Sequence, residues 1–182
     1  MGKVDEKVMS VLDKLRGGDL RSIGRSNEVA GDIEKNASLF ETVFRGLYDN
    51  DPIVRMRSAD VIEKVTRTRP ELLSNHTLEV ISILTTAEQQ EVCWHMAQIA
   101  PRLSVSPPKK AEIVKALRRY LAHKSKIVRV SAMEALTRLA ERDRSMLDEV
   151  IEIIKVQKAT GSPALQSRGR KLLLRLERKL KE

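Results

Sequence analysis

Few residues in this 182-residue chain combine the type and the spacing that chemistry needs. The one cysteine, Cys93, stands two positions before His95, with Trp94 between them. A thiolate touching an imidazole would make a nucleophile and its base, and that pair also needs a third group to orient it. On a helix, residues i and i+2 point roughly 200° apart, so these two side chains face away from each other. Cys93 is therefore expected as a small buried packing residue. His76, His95 and His123 lie far apart in sequence. None stands at clear ligand spacing from another His, a Cys or a carboxylate. Glu134 and Glu141 stand at i, i+7, which is ordinary spacing for a solvated helix face. No Gly-rich phosphate loop follows a strand, because no segment alternates apolar and polar residues as a strand does. The expectation is a chain with no catalytic group, no metal and no cofactor. Trp94 and His95 leave two readings open. They form a small polar–aromatic contact site, or Trp94 packs on a neighbouring helix while His95 bonds to a carbonyl.

The elements that must position these residues are helices. Val54, Ser58, Val61, Ile62 and Val65 recur at i, i+4, i+7, i+8 and i+11. Val128, Ala132, Ala135, Leu136 and Leu139 repeat that rhythm, and Leu165, Gly169, Leu172, Leu173, Leu176 and Leu180 extend it. The pattern predicts helices over 3–16, 26–35, 37–48, 52–68, 72–85, 88–101, 108–122, 125–142, 144–158 and 162–181. Asp51-Pro52 and Ser162-Pro163 each place a capping side chain before a proline at the first helical position. Gly17, Gly18 and Gly24 break any long helix over 17–25. Phe40, Phe44 and Tyr48 step by four and read as one core stripe.

Composition narrows the class. Apolar residues make up 41% of the chain, too many for a disordered segment. No apolar run approaches the ~20 residues of a membrane helix. The first residues mix acidic and apolar types and do not read as a signal peptide. A single cysteine forbids an internal disulfide, so a cytoplasmic setting is expected.

A repeat organises the helices. The first core residues of alternate helices are Val54, Val92, Val128 and Leu165, spaced by 38, 36 and 37. A near-constant step means a helix pair that stacks on copies of itself. Asp49-Asn50-Asp51-Pro52-Ile53-Val54-Arg55 and the small residues after it resemble the second-helix signature of HEAT repeats. Ile127-Val128-Arg129 through Ala135-Leu136 resembles it closely, with His123 in place of the leading Asp. Ser162-Pro163-Ala164-Leu165-Gln166 keeps the proline and replaces Arg by Gln. Val92-Cys93-Trp94-His95 is similar to a Trp-His variant in small stand-alone bacterial and archaeal HEAT-like proteins. The resemblance spans roughly residues 37–182. It implies an all-α fold, a right-handed α-α superhelix of about five hairpins, in one domain. Within it, 1–36 is expected as an irregular cap and 37–182 as the repeats. It also implies an interaction module. HEAT-like DNA glycosylases exist, but a lone Trp94 beside Cys93 and His95, with no catalytic Asp near it, matches them poorly.

Helical spacing then selects the side chains flanking the core stripe. They are Arg57, Asp60 and Lys64; His95, Gln98 and Arg102; Ser131, Glu134 and Arg138; and Arg168, Lys171 and Arg175. The last member is basic every time: Lys64, Arg102, Arg138 and Arg175. Two readings compete, a ligand-facing stripe and the ordinary use of cations on solvated faces. Arg55 and Arg129 are expected to bond a neighbouring repeat's Asp, with Asp49 a candidate. Residues 1–91 carry 13 Lys and Arg against 16 Asp and Glu, net −3, and residues 92–182 carry 21 against 9, net +12. Such a field favours an anionic partner. The first expectation is a protein scaffold that binds an acidic protein or peptide. The residues expected to meet it are Arg57, Lys64, Trp94, His95, Gln98, Arg102, Glu134, Arg138, Arg168, Lys171 and Arg175. The alternative is duplex nucleic acid, whose backbone needs only cations. With five aromatics, little is available to stack on unpaired bases.

Overall fold

A computed structural model describes residues 11–182, and their regular structure is helical with no strand among them. Most of the helix expected over 3–16 lies outside the described residues, as do the first residues read against a signal peptide. Residues 11–13 are helical. The chain divides into two compact units, one ending at His76 and one running Thr77–Glu182.

In the first unit, α1 (Ser26–Lys35) and α2 (Leu39–Arg45) pack on α3 (Pro52–Val65). A 3₁₀ turn, Gly46–Tyr48, extends α2, and Pro70–His76 forms a second one. Val29, Ile33, Phe40, Val43, Phe44, Val54 and Ile62 are buried together as the periodicity requires. Tyr48 departs from the expected stripe and is 53% exposed. The tightening to 3₁₀ geometry at Gly46 turns the following side chains off the α-helical face. Asp51 caps α3 as expected, its Oδ1 accepting the Ile53 N–H at 2.8 Å. Such a cap is worth ~1 kcal/mol.

Arg57 is not on a ligand-facing row. Its guanidinium is buried and donates to the main-chain oxygens of Leu15 at 2.9 Å, Arg16 at 3.1 Å and Ser22 at 3.1 Å. The 17–25 segment wraps around it. Gly24 has φ +52°, and a Cβ there would lie 2.6 Å from the Arg57 Cζ. Arg55 takes the main-chain oxygens of Asp49 and Asn50, in its own connection. The Asp49 carboxylate goes to Arg16, at 2.8 Å, so it is not the ladder acceptor expected of it.

The second unit contains three consecutive helix pairs. They are α4 (Thr77–Thr86) with α5 (Gln90–Ile99), α6 (Pro107–Tyr120) with α7 (Lys126–Arg142), and α8 (Leu147–Thr160) with α9 (Pro163–Lys181). Ala100–Arg102 and Arg144–Met146 are 3₁₀ turns after α5 and α7. Within this unit α5 packs on α7 and α7 on α9, while α4 packs on α6. Val92, Val128 and Leu165, the residues that set the repeat step here, are all buried. Gly169 lets α9 approach α8, since a Cβ there would meet the Lys158 Cβ at 2.9 Å. Ser162 does not cap α9 with its side chain, contrary to expectation. The fixed φ of Pro163 starts that helix without it. Arg129 donates to the Gln157 side chain on α8 at 2.8 Å, so its partner in the next pair is an amide rather than an Asp.

Candidate interaction surface

The packing of α7 on α9 brings together side chains that flank the two core stripes. Glu134, Arg138 and Glu141 are spaced at i, i+4 and i+7 on α7. Arg168, Lys171, Arg175 and Arg178 are spaced at i, i+3, i+7 and i+10 on α9. Arg175 is the tightest link: Nη1 lies 2.5 Å from Glu134 Oε1, Nε 2.9 Å from Glu141 Oε1, and Nη2 2.7 Å from Glu141 Oε2. Arg138 Nε stands 3.4 Å from Glu134 Oε1, and Arg168 Nη1 stands 3.6 Å from Glu134 Oε2. Three guanidiniums therefore share one carboxylate. Partial burial pushes the Glu134 carboxyl up, but the Arg175 hydrogen bond and the Arg175, Arg168 and Arg138 charges outweigh it and hold it below its usual range. The bond to Glu141 raises Arg175, so this guanidinium is charged at every accessible pH.

Beyond the cluster, α9 presents bare charge. Lys171, Arg178 and, on the next turn, Lys181 are exposed and carry no ion pair among the described residues. Leu174 lies between Lys171 and Arg178 on the same helix face and is 55% exposed. Leu78, Ile127 and Val156 of this unit are exposed as well, but Leu174 is the one that stands between two cations without an ion pair among the described residues.

The remaining expected residues do not join this cluster. Lys64 belongs to the first unit, where its Nζ is 2.6 Å from both Asp60 Oδ2 and Asn27 Oδ1. A carboxylate thus pairs closely with Lys64 and with Arg175, two members of the basic row, and only loosely with Arg138, a third. Arg102 is half-buried in the 3₁₀ turn that packs on α7, and Gln98 is half-buried on α5. His95 is buried and Trp94 half-buried, their rings 5.3 Å apart. That burial favours packing over an open polar–aromatic site. Cys93 is fully buried, and its thiol donates to the Ala87 oxygen at 3.3 Å. Burial pushes that thiol up, away from reactivity.

Glu141 is what the sequence reading missed. Its i, i+7 spacing from Glu134 was compatible with plain surface, but both carboxylates face α9 and receive Arg175. The usable signal was the shared register of Glu134, Glu141 and the basic row. Separately, a cleft between the ends of α4 and α6 is lined by Thr86, Glu88, Arg119, Tyr120, His123 and Lys124. Tyr120 closes its floor by donating to the Leu84 oxygen at 2.8 Å. Among the described residues, no group of three or more His, Cys, Asp or Glu is arranged to hold a metal ion. Among the same residues no helix is long and apolar enough to cross a membrane.

Comparison with known proteins adds the fold. No family model and no curated protein matches the chain. A crystal structure of an engineered protein is similar, with a TM-score of 0.62 and 17% identity, covering 97% of this chain and 82% of that one. At that identity the likeness concerns the path of the backbone alone.

Proposed function

We propose that this chain is a non-catalytic scaffold of the HEAT-like α-solenoid kind that binds an acidic protein segment on the α7–α9 face. The repeat step of 36 to 38 residues and the packing of α5 on α7 and α7 on α9 support the architecture. The observation that carries the choice of partner is Leu174, exposed between Lys171 and Arg178. An acidic peptide with an apolar side chain satisfies all three, whereas a phosphate backbone leaves the leucine unused. The burial of Cys93, which pushes its thiol up, argues against nucleophilic catalysis there. The cytoplasmic setting belongs to the same proposal and rests on the single, reduced cysteine.

A second reading, duplex nucleic acid, draws on charge. Residues 77–182 hold 21 Lys and Arg against 12 Asp and Glu, a formal +9, while residues 1–76 hold 13 of each. The whole excess thus resides in the second unit. One titration series tests both readings, using a labelled Glu- and Leu-containing peptide and a labelled DNA duplex at ~50 and ~200 mM salt. Peptide binding that L174S and K171E each weaken supports the first reading. Duplex binding that collapses with salt and ignores L174S replaces it with the second.

A further inference from the structure

The α7–α9 cluster divides its arginines into two kinds. Arg175 is committed, with three contacts of 2.5 to 2.9 Å to two carboxylates. Arg138 and Arg168 are not. Each side chain is 45% exposed, and each stands 3.4 Å or more from Glu134. Arg168 makes no hydrogen bond among the described residues, and Glu134 Oε2, the oxygen it faces, accepts none. A guanidinium carries five N–H donors in a planar fork that fits a carboxylate edge-on. Two such forks, largely unspent, flank one carboxylate, and Lys171 stands next to Arg168 on the same face with no ion pair. Counting Arg138, Arg168, Lys171 and Arg175 against Glu134 and Glu141, the cluster holds four positive and two negative charges.

We infer that Arg138, Arg168 and Lys171 form a seat for one carboxylate of the incoming segment, and that Glu134 is an internal competitor for that seat. Resting on the acidic-partner reading, this names the residues that grip the partner and the one that weakens the grip. Arg175 acts as the strut that holds the two helix faces in register while the other three cations turn outward. Glu134 keeps those cations in place when the seat is empty, and it taxes every anion that arrives by holding part of their charge. Removing the Glu134 charge while keeping its shape therefore frees donors that the partner can use.

The test measures binding of a fluorescein-labelled peptide of alternating Glu and Leu to the full chain by anisotropy at low salt. E134Q is expected to bind ~3–10-fold tighter than the unsubstituted chain. The control E152Q makes the same charge change on α8, where Glu152 pairs with Lys155, and is expected to shift binding less than twofold. R138M together with R168M is expected to weaken binding at least ~10-fold, with an unchanged melting curve. The inference is overturned if E134Q binds no tighter than E152Q, or if the double variant binds normally. If L174S still weakens peptide binding in that case, the acidic-partner reading stands and only the seat is lost. If neither the unsubstituted chain nor E134Q binds the peptide at any salt, both are lost.

Discussion

The Arg57 guanidinium donates to the main-chain oxygen of Leu15 at 2.9 Å, across 42 residues of sequence. The same group reaches Arg16 and Ser22, so one side chain gathers three oxygens of a glycine-rich connection. The Leu15 contact is buried, and a buried oxygen left without a donor is costly. R57M, which keeps most of the volume, is expected to lower stability by ~2–4 kcal/mol in chemical denaturation. G24A is expected to act through the same contact, because its Cβ has no room beside Arg57 and its positive φ disfavours a side chain. An R57M protein as stable as the original would remove Arg57 from this structural role.

Asp143 links the end of α7 to the start of α6 through Lys110, at 2.7 Å. The Lys110 bond, helped by Ser145, draws the Asp143 carboxyl down from 3.8 to about 2. A carboxyl whose folded value is depressed contributes its stability above the ordinary value and loses it as the pH falls through the folded one. The Lys110–Asp143 contribution is therefore expected to be constant above pH ~4 and to vanish between ~4 and ~2. K110M should melt below the unsubstituted chain at neutral pH and converge with it by pH ~2. A gap that persists unchanged in acid would mean that Lys110 acts through packing instead. Because both groups are partly solvated, added salt should narrow the gap.

Much of the fold was legible because helices write their buried face into the residue spacing. The stripes around Val54 and Val128 are buried at the expected rhythm, as is the Leu165 stripe through Leu176, while Leu180 in the last turn of α9 is exposed; Asp51-Pro52 opens α3 as a cap and proline should. Helix ends were less legible. Residues 46–48, 100–102 and 144–146 are 3₁₀ turns, and the hydrophobic pattern alone does not tell 3.6 residues per turn from 3.0 over so short a stretch. Arg57 misled for a different reason. Its spacing marks the flank of the core stripe, but whether a flanking cation meets solvent depends on the 17–25 segment that lies over it. The basic row is not simply free charge. Its members at 138 and 175 meet carboxylates at 134 and 141, one of them on a neighbouring helix. Pairing across helices is set by packing, which no single helix's spacing contains.

Cys93 supplies a direct check on the non-catalytic reading. Burial raises its thiol, and the thiol already donates to the Ala87 oxygen. A thiolate is the reactive form, so alkylation by iodoacetamide at neutral pH is expected to be orders of magnitude slower in the native chain than in denaturant. Mass spectrometry of timed quenches reads this directly. Equal rates in the two states would show an accessible, activated thiol and reopen the Cys93–His95 pairing.

Arg175 and its two looser neighbours make a stability contrast independent of any ligand. Arg175 ties α9 to α7 through Glu134 and Glu141 and is about one-third exposed. Charged hydrogen bonds of this kind contribute ~1–3 kcal/mol when buried, and partial solvation reduces that. R175M is thus expected to cost ~1–2 kcal/mol, which for a chain of this size is a melting shift of several degrees. R138M and R168M remove contacts of 3.4 and 3.6 Å between groups that are nearly half exposed, and each is expected to stay within ~0.5 kcal/mol. E134Q removes the carboxylate that Arg175 holds at 2.5 Å, so it should also destabilise, while tightening the acidic peptide. Stability and binding then move in opposite directions for one substitution. A merely structural Glu134 predicts that they fall together, since a loosened α7–α9 face would bind everything less well.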